Sequence, residues 1–61
     1  MKRRVLIRHL RKHGCFLVRE GRRHAIWGNL EMNTKTPVPR HTEIDNQLAA
    51  DICKQLGIPT L

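Results

Sequence analysis

"CFLVREGRRHAIWGN", residues 15–29, places two apolar-rich runs on either side of a glycine and two arginines. "CFLVRE" has the aromatic and β-branched content of a strand, Gly21-Arg22-Arg23 reads as a turn, and "HAIWGN" resumes the extended pattern. The stretch therefore predicts a β-hairpin. Side chains alternate along a strand with a period of two, so Ala25 and Trp27 share one face of the second strand and His24 and Ile26 share the other.

The segments outside the hairpin decide how it is covered. From Arg3 to His13 the residues read as a helix: at 100° per residue Leu6, Ile7 and Leu10 fall within one arc of roughly 100°. Arg4, Arg8, Arg11 and Lys12 fill a neighbouring arc, and Gly14 supplies the stop. After the polar turn "LEMNT", the run "KTPVPR" predicts a third strand, which Pro37 and Pro39 confine to a sheet edge or end early. "HTEIDN" is turn-like, with Asp45 or Asn46 as N-cap, and "QLAADICKQLG" repeats the helical pattern. There Leu48, Ile52 and Leu56 recur every four residues, Ala49 and Cys53 widen the stripe, and Gly57 ends the helix before Pro59. The predicted order is α-β-β-β-α, one domain over residues 1–61. Two helices with one apolar stripe each cover one face of a three-stranded antiparallel sheet, giving a two-layer α+β sandwich with its other sheet face open.

A chain of 61 residues buries only about 60% of the surface its unfolded form exposes. One thin core is expected, with a net hydrophobic contribution of about 3–5 kcal/mol, and no deep closed active site. Twelve Lys and Arg stand against five Asp and Glu, net +7, and the charge is uneven: residues 1–40 carry +9 and residues 41–61 carry −2. That asymmetry points to a polyanionic partner, usually nucleic acid. No apolar run is long enough to span a bilayer, and the Lys-Arg-Arg start leads into no apolar signal core, so a cytoplasmic protein without membrane association is expected. Cys15 and Cys53 are too sparse for a disulfide framework and match no zinc spacing, which predicts reduced, partly buried thiols. His9 and His13 lie one helical turn apart with Cys15 close in sequence, yet no fourth ligand accompanies them, and core-edge packing is the preferred reading. No acidic cluster suggests a Mg²⁺ site, and neither metal nor cofactor is expected.

An RNA strand brings its own nucleophile, because each 2′-hydroxyl adjoins the phosphate it attacks when the backbone transesterifies. The protein then needs to supply proton transfer and charge stabilisation. Histidine, with an unperturbed pKa of about 6.5, suits the first task. Arginine suits the second, since its planar fork binds two phosphate oxygens as charge develops on them. "RRH", residues 22–24, offers both where turn meets strand. Trp27 stacks on a base if its face of the sheet is the open one, and anchors the core if it faces inward.

The chain resembles the HicA toxins, small messenger-RNA-cleaving partners in bacterial toxin–antitoxin pairs. The likeness runs through "KHGCFLVRE", as the end of a basic helix followed by glycine, an aromatic and a strand. It continues through "GRRHAIW", "TPVPRHTEI" and the closing helix "LAADICKQLGI". Where the family has Gly-Ser before its histidine this chain has Arg22-Arg23, with Gly21 displaced by one place. The resemblance implies a fold similar to double-stranded-RNA-binding domains and a ribosome-independent endoribonuclease of a type II toxin–antitoxin system that inhibits translation and growth. It also implies a HicB-like antitoxin as partner and His24 as the catalytic residue, with His41 matching a second family histidine that assists or positions. Arg22, Arg23 and Arg40, the helix cations Lys2, Arg3, Arg4, Arg8 and Arg11, and Trp27 are the expected contacts to single-stranded RNA. Two other readings use the same surfaces: a non-catalytic RNA-binding module, and a protein-interaction domain that meets an acidic partner.

Overall fold

Helix α1 (Arg3–Lys12) leads into a hairpin of β1 (Cys15–Glu20) and β2 (His24–Asn29), followed by β3 (Thr34–Pro39) and helix α2 (Asn46–Leu56), in a computed structural model that describes residues 1–61. The three strands form one antiparallel sheet in the order β1-β2-β3, as expected for three strands joined by short connections. The proline-bearing β3 is an edge strand, where a missing N–H costs no ladder bond on the open side.

The β2 pleat sorts the protein into two faces. Ala25, Trp27 and Asn29 are buried beneath the helices, together with Thr36 and Val38 from β3. Leu6 and Leu10 of α1 and Ala49, Ile52, Cys53 and Leu56 of α2 close over them, and Ile44 and Ile58 seal the ends. Both helices thus lie on one side of the sheet. The opposite face stays open, with Phe16 and Val18 exposed on β1 and Pro37 on β3. Between Leu17 and Arg19 the β1–β2 register shifts, leaving Val18 as the extra residue of a bulge.

The elements end where the sequence places their stops. Gly14 and Gly57 take φ of 82° and 76°, the left-handed region that terminates a helix at little cost only in glycine. After α2 the N–H of Ile58 bonds the carbonyl of Cys53 at 3.0 Å and that of Gly57 bonds Lys54 at 3.1 Å, a paired closure that draws Ile58 into the core. At the other end the Asp45 carboxylate accepts from the N–H groups of Gln47 and Leu48. The last carbonyl of α2, on Leu56, accepts from the Asn29 amide at 2.9 Å and from the Thr34 hydroxyl at 3.1 Å, so the sheet itself caps the helix.

Two expectations need correcting. Leu48 does not belong to the core stripe: it is 39% exposed, because the buried arc of α2 is centred on Ala49, Ile52, Cys53 and Leu56. Trp27 does not offer its ring to a ligand on the open face. It is 3% exposed on the helix side, and the Arg11 guanidinium sits 5.2 Å from the ring centroid. Arg11 is thereby drawn into a cation–π contact over the core.

Cys15 and Cys53 are unbridged and buried. Burial pushes both thiols above the ordinary range, and for Cys15 the proximity of Cys53 adds to it. Above the ordinary thiol range the unfolded chain ionises while the folded one does not, so this stabilisation is present at neutral pH and is lost as pH rises toward the folded values. Thermal midpoints are expected to fall at alkaline pH, and less steeply in a Cys53→Ala chain. Ile52→Ala is expected to cost about 2–5 kcal/mol in urea unfolding and Leu48→Ala well under that, because only the former leaves a cavity.

Candidate nucleic-acid interface

His24 opens β2 on its exposed face and pairs across the ladder with Pro39 of β3. The tip before it, Arg22-Arg23, is held by two devices. Gly21 N–H donates to the His24 carbonyl at 2.8 Å, and a Cβ on Gly21 would stand 2.5 Å from that same oxygen. Glycine is therefore required at this place for close approach of the chain to itself, and not for positive φ. Neither Arg22 nor Arg23 takes positive φ either.

Arg40 is the second device. Its backbone N–H donates to the Arg23 carbonyl at 3.2 Å, its Nη1 donates to the Gly21 carbonyl at 3.0 Å, and its Nη2 lies 3.5 Å from the Glu20 carboxylate. One residue at the end of β3 thus grips both sides of the hairpin tip. The ion pair is exposed and adds little by itself. The bonds to the two carbonyls fix where Arg22, Arg23 and His24 project.

These residues meet in one hollow of about 530 Å³, lined by Arg22, Arg23, His24, Arg40 and His41. The two histidines, 17 positions apart in sequence, come together because His24 starts β2 and His41 follows the strand paired to it. No carboxylate is among the residues that line the hollow, and the nearest one described, that of Glu20, is paired with Arg40 at its rim, so the lining itself is predominantly cationic. It has two imidazoles for proton transfer and guanidinium groups for phosphate oxygens.

The helix cations divide by position. Arg3 donates its backbone N–H to the Thr42 carbonyl at 2.8 Å and its Nε to the Pro39 carbonyl at 2.8 Å, which ties the start of α1 to the segment carrying Arg40 and His41. Lys2, Arg3 and Arg4 line a second hollow with Thr42. Arg8 lines a separate hollow with Val5, His9, Lys12 and Leu61, and Arg11 is engaged over Trp27. The basic stripe of α1 is therefore not one continuous track. His9 and His13 pack edge to face with ring centroids 4.6 Å apart, and His9 Nε2 donates to the Pro59 carbonyl at 2.6 Å, a structural tie for the last residues. No three His, Cys, Asp or Glu side chains, these included, converge as a metal-binding group. Sequence reasoning missed Thr42 as a site residue, since it enters the basic surface only through the pairing of residues 42–44 with the start of the chain. It also missed Glu20 as the acidic partner of the tip.

Fold and site together define a small basic α+β domain whose histidine-bearing hairpin and helix start share one cationic surface. The family described as HicA toxin of bacterial toxin-antitoxin matches residues 3–58, which span every helix and strand, and the chain belongs to that family. It is accordingly a toxin of a toxin–antitoxin pair, with an antitoxin as partner. No match was found among curated proteins or solved structures. No helix is long and apolar enough to cross a membrane.

Gly21→Ala is expected to displace the hairpin tip while leaving the core intact. Amide chemical-shift changes concentrated at residues 19–24 and 40–41, with an unchanged far-ultraviolet spectrum, check this.

Proposed function

We propose that this toxin is an endoribonuclease that cleaves single-stranded messenger RNA without the ribosome and so arrests translation and growth. The observation that carries the reading is the shared hollow of His24, His41, Arg22, Arg23 and Arg40, two imidazoles among guanidinium groups with no carboxylate in the lining. In the proposed reaction the 2′-oxygen attacks the adjacent phosphorus, the 2′-hydroxyl proton passes to one base, and the 5′-oxygen leaves with a proton from an acid. The products are a 2′,3′-cyclic phosphate and a 5′-hydroxyl. His24, the exposed residue at the head of β2, acts as base or acid, and His41 assists from the facing segment. Arg22 and Arg23 hold the phosphate oxygens as negative charge grows. Arg40 holds the tip that presents them. Imidazole and guanidinium suffice for these steps, so cleavage should not require a divalent ion.

The family implies an antitoxin, and a HicB-like protein with acidic surface that covers His24 and the surrounding cations would neutralise the toxin by direct occlusion. The decisive experiment is incubation of RNA with the wild-type and His24→Ala chains in EDTA, with mapping of product ends. His24→Ala should abolish cleavage and growth inhibition while remaining folded. Undiminished cleavage by that folded variant would overturn the role of His24, whereas salt-dependent RNA binding without cleavage by either chain would identify a non-catalytic binding module.

A further inference from the structure

The hollow at the start of α1 stands apart from the proposed catalytic one yet abuts it. It has a volume of about 230 Å³ and is lined by Lys2, Arg3, Arg4 and Thr42. His41 lines the catalytic hollow and Thr42 this one, and neighbouring Cα atoms lie only about 3.8 Å apart. The segment from Arg40 to Thr42 is therefore a shared wall between two cationic hollows. A hollow of similar size beside α2, about 220 Å³, is lined mainly by apolar residues such as Ala49, Ala50 and Leu61 and has no such character.

The state of each cation decides what the hollow suits. Arg3 commits only Nε, to the Pro39 carbonyl at 2.8 Å, and no partner occupies its two terminal amino groups. The guanidinium is thus tethered with its fork free, the arrangement that binds two phosphate oxygens with little further loss of side-chain freedom. Arg4 is exposed and makes no ion pair. Lys2 pairs with Glu43 at 3.2 Å, but both side chains are more than half exposed, so an arriving anion competes readily for it. The Thr42 hydroxyl adds a neutral donor. These cations also oppose local stability: three positive charges crowd the first residues of a helix that has no acidic residue in its first turn and no side-chain cap. The exposed Lys2–Glu43 pair offsets this only in part, and local rules broken in this way are expected at functional surfaces.

We infer that this hollow is a second phosphate-binding subsite, which takes a backbone phosphate next to the scissile one while the RNA strand crosses the Arg40–Thr42 wall. The inference rests on the RNA reading above and assigns the substrate a minimum length, since a dinucleotide has only the scissile phosphate. Arg3 both positions the catalytic wall and binds; Arg4 binds only.

The test uses short RNA oligonucleotides in which one phosphate at a time is replaced by an uncharged methylphosphonate, bound to the His24→Ala chain so that they stay intact. Two positions should weaken binding and each should lower the log–log salt slope by about 0.7, the value for one lost contact on a single strand. In the His24→Ala/Arg4→Ala chain the penalty at the second position should shrink or vanish and that at the first should persist. Thr42→Val should reduce the second penalty in the same sense. A single sensitive position, two positions unaffected by Arg4→Ala, or no measurable RNA binding would overturn the subsite. Cleavage by the wild-type chain separates the two ideas: two sensitive positions with no cleavage keep the subsite and refute the nuclease, and cleavage with one sensitive position does the reverse.

Discussion

The pleat of the central strand is the constraint on which the rest of the structure depends. Once Ala25, Trp27 and Asn29 are buried under the helices, His24 and Ile26 must face away, because a slip of one residue would reverse every side chain of β2. The core supplies the energy that holds this register. Trp27 is its one aromatic member, and Asn29 bonds the last carbonyl of α2, so helix and strand are locked in one relation. The proposed catalytic histidine is exposed as a consequence of what its neighbours bury.

A small domain with one thin core has little stability to spare, and this one places its ties where they orient the site. Arg3 and Arg40 each join distant segments through both a backbone N–H and a guanidinium donor. Together they fasten the start of α1, the hairpin tip and the end of β3 around one surface. Neither tie is deeply buried. Their value lies in direction: the tip cannot swing away from His41 without losing bonds to both Gly21 and Arg23 carbonyls. Charge acts against this economy, since Lys2, Arg3 and Arg4 repel one another at the start of α1, and an anionic ligand would relieve that repulsion.

Most of the fold was legible in sequence because the relevant signals are local. β1 and β2 carry the strand pattern over their observed bounds, and glycine at 14 and 57 marks both helix ends. The exposure of Leu48 was not legible, since a four-residue repeat shows a stripe but not which edge of it faces the sheet. The orientation of Trp27 was open for the same reason: alternation pairs it with Ala25, and only the packed helices select the buried side. The basic stripe of α1 looked continuous on a helical projection, whereas the structure splits it among the Thr42 hollow, the Leu61 hollow and the Trp27 ring.

The sequence by itself determined element order, the two-layer class, the concentration of positive charge in the first 40 residues and the candidacy of His24, because periodicity, helix stops and residue chemistry are properties of short stretches. The tertiary structure alone decided that His41 joins His24 in one hollow, that Arg40 secures the tip, and that Gly21 serves a self-contact in the chain. Each of these depends on β2–β3 pairing or on the closure of a turn. Such contacts join residues whose separation along the chain carries no periodic signal, so they exist only once the core has fixed the register.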